Sequence, residues 1–178
     1  MMTIVRIPLD VICVKTGVLC PSCQRKVDEG IVKPIEVDIM RVLLNLENEI
    51  KELRNATYEK TYQVDNTLIV VIKVDKASNE LAKKIRQALV KELGRDYRIR
   101  VLLKSEEDPR QLVSQLLIPL TVKGINIMWL PDGTQKYVVN VRGPLRRLAI
   151  PKEQVEKILE EILGAPVEIR VETPRRSF

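Results

Sequence analysis

Residues 67–104 read TLIVVIKVDKASNELAKKIRQALVKELGRDYRIRVLLK and predict a strand, a helix and a second strand. The segment 67–74 is rich in β-branched residues, which are typical of strands. Ser78 is placed to cap a helix that ends before Gly94, because a serine hydroxyl accepts from free helix N–H groups and glycine readily closes a helix. In residues 97–104 apolar and basic side chains alternate, which indicates a strand with one buried face.

The same kind of pattern extends towards the N-terminus. A helix begins at Pro34, and its apolar residues fall at spacings of three and four, so that they form one stripe. The stripe consists of Ile35, Ile39, Val42, Leu43, Leu46, Ile50 and Leu53. Residues 57–63 then predict a strand that forms a hairpin with 67–74 across a turn at Asn66. The order of elements up to residue 104 is therefore α-β-β-α-β.

A similar order returns after the short acidic segment 105–108. Proline at a first helical position predicts a helix from Pro109 to Leu117, and the sequence Pro-Asp-Gly predicts a turn near residues 130–134. The remaining predicted elements are strands at 125–129 and 136–141, a helix at 154–163 and a strand at 166–171. We therefore expect an α+β fold with a cysteine segment at 1–33, α-β-β-α-β modules at 34–104 and 105–172, and a basic tail at 173–178.

The composition argues for a binding protein rather than an enzyme. Hydrophobic residues make up 45% of the chain and aromatic residues 3%, so we expect aliphatic cores. There is no histidine, which removes the commonest general base, and there is neither a glycine-rich phosphate loop nor a nucleophile with a histidine partner. We expect no catalysis and no small-molecule substrate. No apolar run approaches the length of a membrane span, so we expect a cytoplasmic protein that does not contact membranes.

Three cysteines and one aspartate have the spacing of a metal knuckle. Asp10-x2-Cys13 mirrors Cys20-x2-Cys23, and two residues between ligands allow both to reach one ion. We predict a structural zinc site formed by Asp10, Cys13, Cys20 and Cys23. Three alternatives stay open: Cys20 and Cys23 form a redox pair, Cys13 is a small buried hydrophobe, or the site holds no metal. The redox alternative is disfavoured by the lack of a predicted helix and following strand around the pair.

The net charge of +6 is concentrated in one segment. Residues 76–104 contain nine Lys or Arg and three Asp or Glu, so this segment alone carries a charge equal to that of the chain. Clustered basic residues are typical of polyanion binding, and we predict that RNA is the partner. The predicted RNA-binding residues form two groups at equivalent places in the two modules. The first is Lys83, Lys84, Arg86, Arg95, Arg98, Arg100 and Lys104, and the second is Arg142, Arg146, Arg147 and Lys152.

Aromatic side chains stack on RNA bases in many complexes. Tyr97, Trp129 and Tyr137 are candidates for such stacking. Because aromatic residues are so few in this chain, we predict instead that these three lie in the core.

Residues 10–23, DVICVKTGVLCPSC, resemble the N-terminal four-cysteine knuckle of archaeal NusA-like KH-domain proteins. Lys91-Glu-Leu-Gly94 before a basic strand resembles the end of a type II KH module, and residues 124–133, GINIMWLPDG, resemble the start of the second module of a tandem. The resemblance implies a zinc knuckle, two type II KH modules and RNA binding in transcription elongation.

The chain departs from the family pattern at the ligands and at the gripping loops. Asp10 stands where the family has its first cysteine. KH modules grip RNA with a Gly-x-x-Gly loop, expected here near residues 80–85 and 148–152, and neither stretch contains glycine. Glycine permits close approach to a phosphate, so basic side chains and shape would have to replace the loop. Two alternatives follow: a ribosome-associated protein seated on small-subunit ribosomal RNA, and a protein-interaction module that docks on RNA polymerase without binding RNA.

Overall fold

The computed structural model describes residues 5–94, 96–105, 109–118, 120–148 and 150–172. The chain divides into two compact units, Met1–Glu106 and Glu107–Phe178, and each contains a three-stranded sheet with helices. The fold class is therefore α+β, as predicted. No helix within the described ranges is both long and apolar enough to cross a membrane. The predicted basic tail at 173–178 and most of the acidic segment at 105–108 lie outside the described residues.

The described residues of the first unit form four helices, one 3-10 helix and three strands. They are α1 (Val11–Thr16), α2 (Pro21–Asp28), α3 (Pro34–Leu46), the 3-10 helix Lys51–Asn55, β1 (Thr57–Val64), β2 (Thr67–Lys73), α4 (Asn79–Leu93) and β3 (Arg98–Lys104). The strand order is β1-β2-β3, with β1 and β2 antiparallel and β2 and β3 parallel. A parallel pair needs a crossover connection, and α4 supplies it.

The stretch on which the fold prediction rested has the predicted structure. The Ser78 hydroxyl accepts from the Leu81 N–H at 3.2 Å, and Gly94 closes α4 with a φ of 84°. Leu81, Ile85 and Leu89 of α4 are buried against the sheet side that carries Ile99, Val101 and Leu103, and together they form part of one core.

The helix predicted from Pro34 is shorter than its apolar stripe indicated. α3 ends at Leu46, and the chain continues through a turn into the 3-10 helix. Ile50 and Leu53 are nevertheless buried, because the 3-10 helix turns them into the same core. The prediction of one continuous helix through Leu53 was therefore wrong, although the burial of these residues follows the pattern.

A buried carboxylate joins α3 to β1. Glu36 is 3% exposed; its Oε2 accepts from the Lys33 N–H at 2.7 Å, and its Oε1 accepts from the Tyr58 hydroxyl at 2.7 Å and the Thr61 N–H at 3.0 Å. Burial, and next the negative charge of Glu36, raise the pKa of Tyr58, so its hydroxyl remains a donor. Because all three donors are satisfied by one carboxylate, the network fixes how α3 crosses the sheet.

The cysteine segment shares the core of the first unit. Cys13, Val14 and Cys23 are buried in the same cluster as Met40 and Leu43 of α3. Arg41 of α3 also donates from Nε to the Val14 carbonyl at 3.0 Å. The described part of the cysteine segment, residues 5–33, is therefore packed onto α3 rather than standing apart from it.

The second unit has the order α-β-β-α-β, which the first unit has from α3 to β3. Its elements are α5 (Pro109–Leu117), β4 (Thr121–Trp129), β5 (Gln135–Arg142), the 3-10 helix Leu145–Arg147, α6 (Lys152–Leu163) and β6 (Val167–Val171). The strand order is β4-β5-β6, with the first pair antiparallel and the second parallel. β4 begins four residues earlier than the strand predicted at 125–129, and an irregularity between Val122 and Gly124 interrupts its pairing with β5.

Candidate metal centre and basic surfaces

The four predicted metal ligands lie together. The ligand atoms of Asp10, Cys13, Cys20 and Cys23 are all within 4.8 Å of one another, and this group could hold a metal ion. Cys13 and Cys23 are buried, Cys20 is half-buried and Asp10 is exposed. The spacing recognised in the sequence is therefore matched by a compact cluster with two buried thiols and one outward carboxylate.

Each half of the cluster has the same position on a short helix. Asp10 is the N-cap residue of α1 and Cys13 its third residue, while Cys20 is the N-cap residue of α2 and Cys23 its third residue. An N-cap residue and the third helical residue face each other across the first turn, which is why two intervening residues suit a shared ion.

Local sequence determines how the two helices start and stop. Pro21 occupies the first position of α2, where a missing N–H costs nothing. Gly17 ends α1 with a φ of 77°, and Arg41 approaches so closely that a Cβ at Gly17 would lie 3.4 Å from its Nη2. The connection between the two helices is therefore only four residues long, from Gly17 to Cys20.

Hydrogen bonds cross from each half of the cluster to the other. The Asp10 N–H points to Cys23 Sγ and the Cys20 N–H to Cys13 Sγ, each at 3.4 Å, and Cys20 Sγ lies 3.5 Å from Asp10 Oδ2. The backbone N–H of Cys23, followed by contacts with the other thiols, lowers the pKa of Cys20. For Cys23 the hydrogen bond from the Asp10 backbone lowers the pKa, but burial and the neighbouring thiols outweigh it and raise the pKa to about 11.

The arrangement fits a tetrahedral ion. Zinc binds sulfur at about 2.3 Å, which places two ligand sulfurs about 3.8 Å apart. The donors need to close by no more than about 1 Å from their 4.8 Å limit to reach that geometry. Three thiolates and one carboxylate are a donor set that zinc accepts.

The redox alternative for Cys20 and Cys23 was disfavoured because the sequence predicted no helix with a following strand around the pair. A helix, α2, does begin at Pro21, but the next element is α3 and not a strand.

The first basic group is divided by the sheet. Lys83, Lys84 and Arg86 are exposed on α4, which packs on one side of the sheet, whereas Arg98 and Arg100 lie on β3 with side chains towards the other side. Arg86 connects the two parts, because its Nε donates to the Ile99 carbonyl on β3, the edge strand, at 3.0 Å.

Not every member of this group is available to a ligand. Arg100 is half-buried, and burial followed by the nearby charge of Arg86 lowers its pKa. Lys104 forms an ion pair with Glu59 at 3.7 Å. Leu102, which lies between Arg100 and Lys104 in the strand, is fully buried. Arg95 lies outside the described residues. The basic side chains of β3 are therefore only partly exposed to solvent.

The residues of the second basic group are more exposed than those of the first and lie closer together in the sequence. Arg142 ends β5, Arg146 and Arg147 lie in the following 3-10 helix, and Lys152 begins α6. The three arginines are exposed and form no ion pair with a described acidic residue, whereas Lys152 contacts Glu156 at 3.6 Å. In the first unit the basic residues lie on α4 and β3, so the prediction that both groups occupy equivalent places was wrong.

Gly143 determines the course of the chain between these arginines. Its φ is 125°, and a Cβ at this position would lie 2.8 Å from Leu120 Cδ2. A residue with a side chain would therefore meet both backbone strain and a steric clash. The turn at Gly143 brings the 3-10 helix directly after β5.

The stretches expected to replace the glycine loops differ between the units. Residues 80–85 lie inside α4, which is continuous, so the first unit has no loop between helices there. Residues 148–152 do connect two helices, the 3-10 helix and α6, although Ala149 is outside the described residues. Only the second unit therefore has a helix–loop–helix at the place where the resemblance puts one.

Trp129 does not lie in the core, where its residue type led us to predict it. It is 69% exposed at the end of β4, so its predicted place in the core was wrong. Tyr97 and Tyr137 are half-buried. The position of Trp129 immediately before the predicted turn was the available indication, because strand ends next to turns extend beyond the covering helices.

Comparison with known proteins adds no family to these observations. No family model matches the chain, and a search of curated proteins finds no significant match.

Proposed function

We propose that the chain binds RNA, and that the connection between β5 and α6 makes the main phosphate contacts. The observation that carries the proposal is the exposed trio Arg142, Arg146 and Arg147, whose charges are not neutralised by described acidic residues. Guanidinium groups bind phosphate oxygens through paired hydrogen bonds, which makes arginine well suited to nucleic-acid backbones.

The position of this trio supports a KH-like mode of binding. KH modules hold the RNA backbone at the loop between two helices, and Arg146 and Arg147 directly precede the corresponding connection here. The connection has no glycine loop, but exposed arginine side chains stand immediately before it. Such contacts depend on phosphates rather than bases, so we expect weak sequence preference.

The first unit contributes a second, smaller surface. Lys83 and Lys84 are exposed on α4, and Arg86 lies beside them at the edge of β3. We propose that these residues extend the electrostatic field that attracts RNA, since several exposed cations on one helix raise the local concentration of a polyanion.

We also propose that the cysteine cluster holds a structural zinc ion. The support is the gathering of Asp10, Cys13, Cys20 and Cys23 within 4.8 Å and their symmetric positions on two helices. When bound, zinc would link α1 to α2 and so stabilise the segment that packs on α3.

The RNA proposal is tested by fluorescence anisotropy with a labelled single-stranded RNA. The variant Arg146→Ala with Arg147→Ala removes two charge-assisted contacts of about 1.5 kcal/mol each, so we expect roughly hundredfold weaker binding. The matched control, Lys51→Ala with Arg54→Ala, removes two exposed charges from the 3-10 helix of the first unit and should bind like the wild type. Equal losses in both variants would mean that net charge, not this surface, governs binding.

One observation favours protein docking as a second function. Ile12 and Val18 are each 76% exposed beside the metal cluster, and exposed aliphatic residues on a small folded segment are typical of contact surfaces. Docking on RNA polymerase or the ribosome would use them. Ile12→Ser with Val18→Ser should abolish such docking and leave RNA affinity unchanged.

A further inference from the structure

The end of β4 is exposed on both faces of the second sheet. Asn126, Ile127, Met128 and Trp129 are all exposed, and the last three are exposed by 52%, 43% and 69%. Successive strand residues point to opposite faces, so exposure of four in a row means that neither face is covered here. β4 is also an edge strand, whose hydrogen-bonded neighbour among the described strands is β5.

The other sheet edges carry features that oppose pairing with another chain. The backbone of Arg6 bridges the start of β1. The side chain of Arg86 donates a hydrogen bond to the Ile99 carbonyl of the edge strand β3. β6 is five residues long and carries Glu168 and Arg170. These are the usual ways in which proteins protect sheet edges.

β4 is protected only at its beginning. The irregularity between Val122 and Gly124 leaves Lys123 as a bulged, exposed cation, and bulges and lysines both discourage pairing. From Gly124 to Trp129 the strand has no charged residue. An exposed apolar edge of this kind is the part of a sheet that another strand joins.

We propose that β4 pairs antiparallel with β4 of a second copy, about a two-fold axis midway between the two copies of Asn126. Directly opposed residues in an antiparallel pair share one face of the sheet, so a two-fold axis perpendicular to the sheet must place one residue opposite its own copy rather than opposite its chain neighbour. Asn126 is the middle residue between the bulged Lys123 and Trp129, the last residue of the strand. This register opposes residues 124–128 of the two copies and brings Trp129 to the bulge of the second copy.

The side chains that this register opposes complement one another. Trp129 lies beside the bulged Lys123 of the second copy, whose ammonium group can contact the indole ring without strand pairing at that position. Met128 lies opposite Gly124, so the long side chain covers a position that has none. Ile127 lies opposite Ile125, and β-branched pairs stabilise sheets. Asn126 meets itself, and an amide can both donate to and accept from its copy.

The surroundings of β4 suit an apolar strand better than a phosphate. The charged residues from 121 to 137 are Lys123, Asp132 and Lys136. Lys136 forms an ion pair with Glu168 at 2.7 Å, so little positive charge remains for RNA. The pairing with a second copy is separate from the proposed RNA binding, because it uses the free edge of β4, whereas the RNA contacts are assigned to Arg142 at the end of β5 and to Arg146 and Arg147 in the following 3-10 helix.

Sedimentation equilibrium of the full chain tests the proposal. The wild type should shift with increasing concentration from 20.4 kDa to twice that mass. Asn126→Asp and Asn126→Lys each place two like charges about 5 Å apart at the axis, so each should raise the dissociation constant about tenfold or more. An equimolar mixture of the two variants should dimerise again, because opposite charges then meet.

Controls and contrary results are well defined. Gln87→Glu and Gln87→Lys change an exposed residue of α4 and should dimerise like the wild type. Trp129 is the one tryptophan of the chain, so a blue shift of its fluorescence with concentration should follow the mass. A mass of 20.4 kDa at every concentration would overturn the proposal, as would dimers in both single variants equal to those of the wild type. If the wild type stays monomeric and Asn126→Asp weakens RNA binding, the strand serves the nucleic acid instead.

Discussion

Removal of one ligand from the cysteine cluster should separate metal stabilisation from packing. Cys20 is the best position, because it is half-buried and is the N-cap residue of α2, where serine is a preferred residue. Cys20→Ser should therefore leave the metal-free protein as stable as the wild type. By contrast, changes at Cys13 or Cys23 would also create defects in the core.

The size of the effect follows from linkage. At a free zinc concentration of about 100 times the dissociation constant, binding to the folded state alone contributes about 2.7 kcal/mol. The first unit, Met1–Glu106, should unfold with an entropy of roughly 220 cal/mol/K, so zinc should raise its Tm by about 12 °C.

Thermal unfolding followed by far-UV circular dichroism, with zinc and with a chelator, measures this difference. The wild type and the neighbouring exposed control Ser22→Ala should show the full shift, and Cys20→Ser should show almost none. Equal Tm values for the wild type with zinc and with chelator would refute the metal site. An undiminished shift in Cys20→Ser would refute the ligand assignment.

Three further changes have defined outcomes. Glu36→Gln replaces one accepting oxygen of the carboxylate by an NH2 group, which then faces a hydrogen-bond donor without a partner. The free energy of unfolding in urea should therefore fall by about 2–3 kcal/mol, whereas the exposed Glu52→Gln should leave it unchanged. Gly143→Ala should destabilise the second unit by more than about 1 kcal/mol in the same assay, whereas Gly124→Ala, with open space around it, should cost far less. Zinc affinity should rise with pH in a competition assay between pH 6 and 8, because the pKa of Cys23 is about 11 and its thiol must lose a proton to bind.

Local sequence rules were sufficient for the long elements. The Ser78 cap, the apolar spacing of α4 and the glycine after it defined a 15-residue helix between two strands, and the structure has that helix. The spacing Asp10-x2-Cys13 and Cys20-x2-Cys23 was likewise sufficient to select the four ligands that lie together. Both depend on neighbours in the sequence, which is why they could be predicted.

Features set by tertiary contacts could not be predicted. α1 and α2 have six and eight residues, too few for an apolar period to be recognised, and the Val14 carbonyl of α1 accepts from Arg41, which is distant in the sequence. α3 ends at Leu46 without glycine or proline near its C-terminus, so nothing in the sequence marks the change to a 3-10 helix.

The basic groups show the same limit. Whether Lys83 and Arg98 share a surface depends on the side of the sheet on which α4 packs, and charge counts along the chain do not contain that information. The exposure of Trp129 likewise depends on how far α5 and α6 cover β4, which composition alone led us to misjudge.

The salt dependence of RNA binding tests the central claim most directly. The logarithm of the association constant for single-stranded RNA should fall linearly with the logarithm of salt concentration, with a slope of about −0.7 for each phosphate neutralised. Arg146→Ala with Arg147→Ala should make that slope about 1.4 less steep, whereas the control Lys51→Ala with Arg54→Ala should retain the wild-type slope. Binding by the wild type that is undetectable at low salt, or an unchanged slope in the arginine variant, would contradict the account.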